Sequence, residues 1–149
     1  MRRVLLPPVL PALFTFGAGV VDRTTWRVEL LPAPWPIVAG SILMATAGGM
    51  IMVAYIGFRQ RDESLAPLSP TRRLVSGGLY GVSRNPVYLA FLVFIAGIGC
   101  ASNSGAVLLA LIPAFAALNW YTIPYEEAYL RRALGAEYDE YAARVRRWI

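Results

Sequence analysis

The chain has 149 residues, of which 57% are hydrophobic and 15% charged, with a formal net charge of +5 and a mean hydropathy of +0.52. Soluble domains are about 45–50% apolar, and the apolar excess here falls in long runs, so we expect an integral membrane protein without a separate soluble domain. The absence of histidine and the single cysteine, Cys100, exclude histidine general-base catalysis, histidine-ligated haem or di-iron, an intrachain disulfide and a cysteine zinc cluster. All the basic residues are arginines scattered among predicted loops, which argues against a nucleic-acid-binding face.

Four apolar runs predict an all-α bundle of four transmembrane helices, at residues 4–21, 35–58, 86–101 and 105–123. A helix that crosses a bilayer needs roughly 20 residues. The first run contains Pro7, Pro8 and Pro11, so we expect an irregular or kinked start. A signal peptide is a competing interpretation because two arginines precede this run, but no small-x-small cleavage site is followed by a soluble domain.

The third run is short for a membrane span, since a helix of this length extends only about 22 Å. Either the membrane is thin here or the helix begins below the headgroups, which would bury Arg84 and Asn85 at membrane depth, where polar groups are usually functional. The brief link at residues 102–104 predicts an antiparallel hairpin of the third and fourth helices. Gly48-Gly49 in the second run would allow close helix packing within or between chains, and the oligomeric state stays open.

The distribution of arginines predicts the orientation. Arg2 and Arg3 precede the first span, the 59–86 loop carries five arginines, the tail carries five more, and the 22–34 loop has a net charge of zero. We therefore expect both termini and the long loop to be cytoplasmic, in a bacterial inner membrane.

The tail, residues 124–149, has an amphipathic helical pattern. Its apolar positions recur at spacings of four, four, three, four and three: Leu130, Leu134, Tyr138, Tyr141, Val145 and Trp148. This spacing predicts one helical face. Gly135 is expected to separate two helices, and Glu127 is expected to pair with Arg131 one turn on. Such a tail either lies on the membrane surface or also closes a site beneath the hairpin.

Arg84-Asn85-Pro86 marks the start of the third helix, because asparagine is a preferred N-cap and proline a preferred first helical residue. The simplest interpretation is a capped helix with a cytoplasmic arginine. The functional interpretation is an anion site, built from the exposed N–H groups of the helix start and the arginine. Tyr80 and Tyr88 flank this segment, either as interfacial aromatics or as faces for a cation.

Glu126-Glu127 follows Pro124, which lacks an N–H, so the fourth helix should end or kink nearby. The two acids then lie in the first turn of a new helix, where the helix dipole favours them. Adjacent helical residues point about 100° apart, so we expect at most one acid to bind a ligand. The other would cap the helix, pair with Arg131 or face water.

Two stretches carry a family resemblance: "GLYGVSRNPVYLA" at residues 78–90 and "PYEEAYLRRALGAEYDEYAARVRRWI" at residues 124–149. In this order and spacing they resemble the isoprenylcysteine carboxyl methyltransferase family and the related phospholipid N-methyltransferases, over roughly residues 67–149. The resemblance implies an integral membrane methyltransferase that uses S-adenosylmethionine on its cytoplasmic side. It also implies a lipophilic or small-molecule acceptor that enters from the bilayer.

Carried over by motif, one wall of the cofactor site would consist of Tyr80, Arg84, Asn85 and Tyr88, and the other of Glu126 and Glu127. Arginine and the helix start suit the cofactor carboxylate, a glutamate suits its ammonium or ribose, and tyrosine faces suit its sulfonium. Methyl transfer is an in-line displacement that depends mainly on positioning, so it requires no histidine.

The sequence departs from the family pattern at two places. Histidine often stands where this chain has Asn85, although asparagine occurs in the phospholipid branch. The carboxyl methyltransferase branch also tends to have an arginine near the position of Thr122, and its absence here argues against a prenylcysteine acceptor. Two alternatives stay open: an NADPH-dependent membrane reductase of the sterol-reductase type and a non-enzymatic four-helix membrane protein. The scarcity of polar residues in the spans argues against a polar transport path.

Overall fold

The computed structural model describes residues 12–20, 32–60 and 74–149, and this part of the chain is all-helical with no strand. The helices are α1 (residues 12–20), α2 (Trp35–Arg59), α3 (Pro86–Ala101), α4 (Gly105–Leu109), α5 (Leu111–Ala117), α6 (Ile123–Leu134) and α7 (Ala136–Arg144). A 3-10 turn, Gly78–Gly81, precedes α3, and a π-helical turn, Leu118–Thr122, joins α5 to α6. The predicted all-α class is thus confirmed for the described residues.

Two helical segments are long and apolar enough to cross a membrane: α2 and the 30-residue stretch Gly105–Leu134. The residues of α2 that are buried in the described part of the protein are small, namely Pro36, Gly40, Ala47 and Ala54, so its large side chains suit contact with lipid. We conclude that the protein is membrane-associated. Helix α3 has 16 residues and falls short of this length, and the predicted proline-induced irregularity of the first span lies outside the described residues. The four-span topology and the orientation stay predictions.

Helices α2 and α3 pack through glycine. A Cβ added at Gly40 would lie 2.5 Å from both the Ala101 nitrogen and the Gly97 oxygen, and one added at Gly97 would lie 2.7 Å from Cγ of Met44. The absence of side chains at these two glycines lets the two backbones approach closely. By contrast, nothing in the described part of the chain would lie within 4 Å of a Cβ at Gly48, so the glycine pair proposed from the sequence is not where α2 packs against α3.

This difference predicts opposite effects for two alanine substitutions in α2. Gly40→Ala should force the helices apart and lower stability by about 1–3 kcal/mol. Gly48→Ala should be neutral or stabilising by up to about 1 kcal/mol, because alanine is the better helix former and meets open space. Thermal unfolding of the two variants in the same detergent measures the contrast. Equal shifts of the two midpoints would show that α2 and α3 do not meet at Gly40.

The predicted α3–α4 hairpin is present. Asn103 adopts a left-handed conformation, with φ of 51°. The Ser104 N–H donates to the Gly99 carbonyl (2.9 Å), and the Ser104 hydroxyl caps α4 by accepting from the Val107 N–H (3.2 Å). These bonds reverse the chain within three residues.

The sequence predicted that the fourth helix would end or kink near Pro124, and the helix does not end there. Helical conformation continues from Gly105 to Leu134, and the irregularity is the π-helical turn just before the proline. There the Ile123 N–H donates to the Leu118 carbonyl, five residues back. Continuing that pattern would require an N–H at Pro124 to reach the Asn119 carbonyl, and proline has none. The Asn119 carbonyl is therefore open to a donor from outside the helix.

The tail folds as predicted into two helices separated by Gly135, whose φ is 57°. However, α7 ends at Arg144 and the backbone is extended at Val145, so the predicted helical face does not continue to Val145 and Trp148. Tyr138 and Tyr141 are buried, and the other four residues of the predicted apolar face are half-buried. Arg131 does not pair with Glu127, since it forms an exposed ion pair with Asp139 at 3.1 Å. The buried tyrosines of the tail contact the segment that leads into α3, because the Tyr138 hydroxyl accepts from Arg84 and the Tyr141 hydroxyl donates to the Tyr80 carbonyl. These contacts favour the interpretation of the tail as an element that closes a site.

Candidate functional site

The start of α3 is at Asn85-Pro86, as predicted, but the asparagine side chain does not cap the helix. Its Nδ2 instead donates to the Arg147 carbonyl (2.9 Å), to which the Ser83 hydroxyl also donates (3.3 Å). The backbone N–H of Asn85 donates to Ser83 Oγ (3.1 Å). Asn85 therefore connects the start of α3 to the end of the chain, and its side-chain bond contradicts the simple N-cap prediction.

Arg84 and Glu127 join the two motif segments that are distant in sequence. Arg84 Nη1 lies 3.2 Å from Glu127 Oε1, and the two side chains are only 13% and 8% exposed. Arg147 binds the same carboxylate at both oxygens, with Nε 3.1 Å from Oε1 and Nη2 2.7 Å from Oε2. One buried acid thus lies between two guanidinium groups. Its contact with Arg147 is bidentate, which is the arrangement that arginine and carboxylate favour.

Tyr88 and Glu126 form a second bridge between α3 and α6. The Tyr88 hydroxyl donates to Glu126 Oε2 at 3.0 Å, and its ring is buried against Leu118 and Ile123. The two neighbouring acids therefore have different partners, in keeping with their angular separation on the helix. Glu127 is buried in an ion cluster, whereas Glu126 is half-buried beside a tyrosine.

Tyr80 lies on the 3-10 turn at the edge of this group. Its carbonyl accepts a hydrogen bond from the Tyr141 hydroxyl (2.7 Å), and its ring meets Phe58 edge-on at 5.4 Å. Burial, and then the charge of Glu126, raise the pKa of the Tyr80 hydroxyl. Burial likewise raises the pKa of the Tyr141 hydroxyl. Both hydroxyls therefore stay protonated, and the proton of Tyr141 is used in the bond to the Tyr80 carbonyl.

All six residues proposed from the sequence gather in one region. Tyr80, Arg84, Asn85 and Tyr88 come from the turn and the start of α3, and Glu126 and Glu127 from the first two turns of α6. One buried side-chain donor among them is unpaired: Arg84 Nε has no hydrogen-bond partner in the described part of the chain. A buried donor without a partner is costly, and an anionic ligand at this place would satisfy it.

Arg147 is the residue of this region that sequence reasoning missed. Besides Glu127 it contacts Asn119, donating from Nη1 to the carbonyl (3.4 Å) that the π-helical turn leaves open. Its hydrogen bonds to Glu127 raise the pKa of Arg147 further, so it stays charged. The signal was present in the second stretch of the family resemblance, which includes Val145-Arg146-Arg147, but arginine in a basic tail is equally typical of a cytoplasmic segment.

Comparisons of the sequence with known proteins identify the family of this chain. The family model described as phospholipid methyltransferase matches residues 35–137. The chain belongs to this family. It is 32% identical to protein-S-isoprenylcysteine O-methyltransferase B of Arabidopsis thaliana over 118 residues, which cover 73% of this chain and 53% of that protein. The resemblance stated from the two motifs is thereby confirmed.

The chain is also similar to two bacterial proteins, each 32% identical over 143 residues, which cover 96% of this chain. One is a nickel-cobalt-cadmium resistance protein of Alcaligenes xylosoxydans xylosoxydans and the other a cobalt-zinc-cadmium resistance protein of Cupriavidus metallidurans, covered to 60% and 59%. The chain thus spans about half to three-fifths of these curated relatives. No solved structure is a significant match. Among the residues that the structure describes, no group of three or more histidine, cysteine or acidic side chains is placed to hold a metal ion.

Proposed function

We propose that this protein is a membrane methyltransferase that takes its methyl group from S-adenosylmethionine and transfers it in line to a lipophilic or small-molecule acceptor. The observation that carries the proposal is the meeting of the two family motifs, through the Arg84–Glu127 ion pair at 3.2 Å and the Tyr88–Glu126 hydrogen bond at 3.0 Å. The family membership supports a methyltransferase over the reductase and non-enzymatic alternatives.

The cofactor-binding residues that we propose are Tyr80, Arg84, Asn85, Tyr88, Glu126 and Glu127. When bound, S-adenosylmethionine supplies an activated methyl group on a sulfonium. The buried, unpartnered Nε of Arg84 suits the cofactor carboxylate. The half-buried carboxylate of Glu126 suits the ammonium or a ribose hydroxyl, and the ring of Tyr80 suits a sulfonium. These residues bind and orient, so the proposal requires no general base.

The acceptor is proposed to reach the site from the bilayer. Helices α2 and α5 expose large apolar side chains on the outside of the protein, among them Ile42, Met52 and Ile112, which suits a protein surrounded by lipid. The names of the relatives point to lipophilic acceptors, a phospholipid or an isoprenylcysteine. We favour the phospholipid class because this chain has no arginine near Thr122. We also propose that both termini and the site are cytoplasmic.

Methyl transfer can be tested directly. Purified protein in lipid nanodiscs is incubated with methyl-labelled S-adenosylmethionine and a bacterial lipid extract, and the products are identified by mass spectrometry. The expected result is label in the lipid fraction with wild type and its loss with Glu126→Gln. The matched control, Glu137→Gln, changes an exposed acid on α7 and should transfer label like wild type. Equal labelling by wild type and Glu126→Gln would contradict the proposed site.

A further inference from the structure

The last residues of the chain fold back across the candidate site. The backbone of this segment is anchored at the start of α3, because the Arg84 N–H donates to the Arg146 carbonyl (2.9 Å) and the Asn85 amide to the Arg147 carbonyl (2.9 Å). Its side chains reach the other wall, where Trp148 Nε1 donates to Asn119 Oδ1 (3.0 Å). The segment is thus held by bonds that do not depend on the Arg147 side chain.

The Arg147 side chain occupies both oxygens of Glu127. Its Nε and Nη2 donate to Oε1 and Oε2, so Arg84 has one contact with this carboxylate, from Nη1 to Oε1. The same Nη1 also donates to the Tyr138 hydroxyl (3.5 Å). Without Arg147, a buried carboxylate beside a buried guanidinium would turn to bind Arg84 at two points, since that pairing is the stronger one. Such a pairing would consume donors of Arg84, including the Nε that has no partner among the described residues.

We propose that Arg147 is a positioning residue of the cofactor site: it holds Glu127 so that Arg84 keeps donors directed at the carboxylate of the ligand. This inference rests on the proposed function and assigns Arg147 no contact with the cofactor. Asn119 and Glu127 both accept hydrogen bonds from the planar guanidinium of Arg147. Lysine cannot replace this arginine, because an ammonium lacks a planar set of donors.

The test compares two ligands by calorimetry in one detergent: S-adenosylhomocysteine and its decarboxylated analogue, which keeps the nucleoside and the amine. With Arg147→Ala we expect affinity for S-adenosylhomocysteine to fall about tenfold or more, and affinity for the decarboxylated analogue to stay within about twofold. Arg147→Lys should behave like the alanine variant, and it serves as the second probe if Arg147→Ala does not fold. The matched control is Arg144→Ala, which removes an equal charge from an exposed position at the end of α7 and should bind both ligands like wild type.

Damage to the fold would weaken both ligands equally, so a parallel loss in Arg147→Ala and Arg147→Lys overturns the positioning role. Wild-type affinity for S-adenosylhomocysteine in both variants, or the same loss in Arg144→Ala, overturns it as well while leaving the proposed function intact. If wild type binds neither ligand, the proposed function itself fails, and the role of Arg147 fails with it.

Discussion

Replacing Glu127 with alanine is expected to lower the free energy of unfolding by about 3–5 kcal/mol, which corresponds to a fall of roughly 6–20 °C in the thermal midpoint. The carboxylate is 8% exposed and lies between Arg84 and Arg147. Its removal leaves the buried Arg84 guanidinium, only 13% exposed, without its counter-charge, and an uncompensated buried charge is among the largest single destabilising effects. Thermal unfolding in detergent, followed by circular dichroism, measures the shift.

The matched control for this prediction is Asp139→Ala. Asp139 forms an ion pair of similar length with Arg131, 3.1 Å, but the two side chains are 64% and 51% exposed. An exposed pair is screened by solvent and contributes little, so its loss should shift the midpoint by no more than a degree or two. Similar shifts for Glu127→Ala and Asp139→Ala would show that the Glu127 cluster is not buried as described.

Glu126→Gln is expected to weaken binding of S-adenosylhomocysteine roughly 10–100-fold, with a much smaller effect on stability than Glu127→Ala. Hydrogen bonds to a charged group contribute about 1.5–3 kcal/mol, which corresponds to this range. Glu126 is half-buried, and its hydrogen-bond partner in the described part of the chain is the Tyr88 hydroxyl. Glutamine keeps the size and an acceptor for that tyrosine, so the main change is the loss of the negative charge offered to the ligand. Calorimetry and thermal unfolding of the same preparation separate the two effects.

Tyr88→Phe provides the graded comparison for Glu126→Gln. It removes only the hydroxyl that holds Glu126 Oε2 and leaves the ring packed against Leu118 and Ile123. We expect a smaller loss of affinity, a few-fold, because the charge of Glu126 remains. Wild-type affinity in Glu126→Gln would contradict its assignment as the acid that faces the ligand, and a larger loss in Tyr88→Phe than in Glu126→Gln would shift that assignment to the tyrosine.

The sequence predicted those features that depend on local chemistry. Asn85-Pro86 starts α3 because proline suits the first helical position, and Gly135 separates α6 from α7 because its positive φ favours glycine. The tail spacing identified a face that is buried at Tyr138 and Tyr141, since helical periodicity follows directly from burial on one side. The family motifs also predicted that Arg84 and Glu127 lie together although they are 43 positions apart in the sequence, and the two side chains form an ion pair.

What the sequence could not predict depends on contacts between distant segments. The Asn85 side chain can either cap its own helix or bond to the distant Arg147 carbonyl, and in the structure it forms the bond to Arg147. Glu127 likewise had Arg131 one turn away but pairs with Arg84 and Arg147. Local pairing on an exposed helix gains only about 0.2–0.5 kcal/mol, so a buried cluster readily overrides it. The π-helical turn before Pro124 was not predicted, because a proline is compatible with a helix end, a kink or an irregular turn before it.

The most direct test of the central claim is a calorimetric titration of purified wild-type protein and of Arg84→Gln with S-adenosylhomocysteine, and of wild type with NADPH. The claim that the start of α3 and the acidic turn of α6 form one cofactor site predicts micromolar binding of S-adenosylhomocysteine to wild type, its loss in Arg84→Gln, and no heat with NADPH. A flat titration of wild type with S-adenosylhomocysteine, or equal binding by wild type and Arg84→Gln, would contradict it.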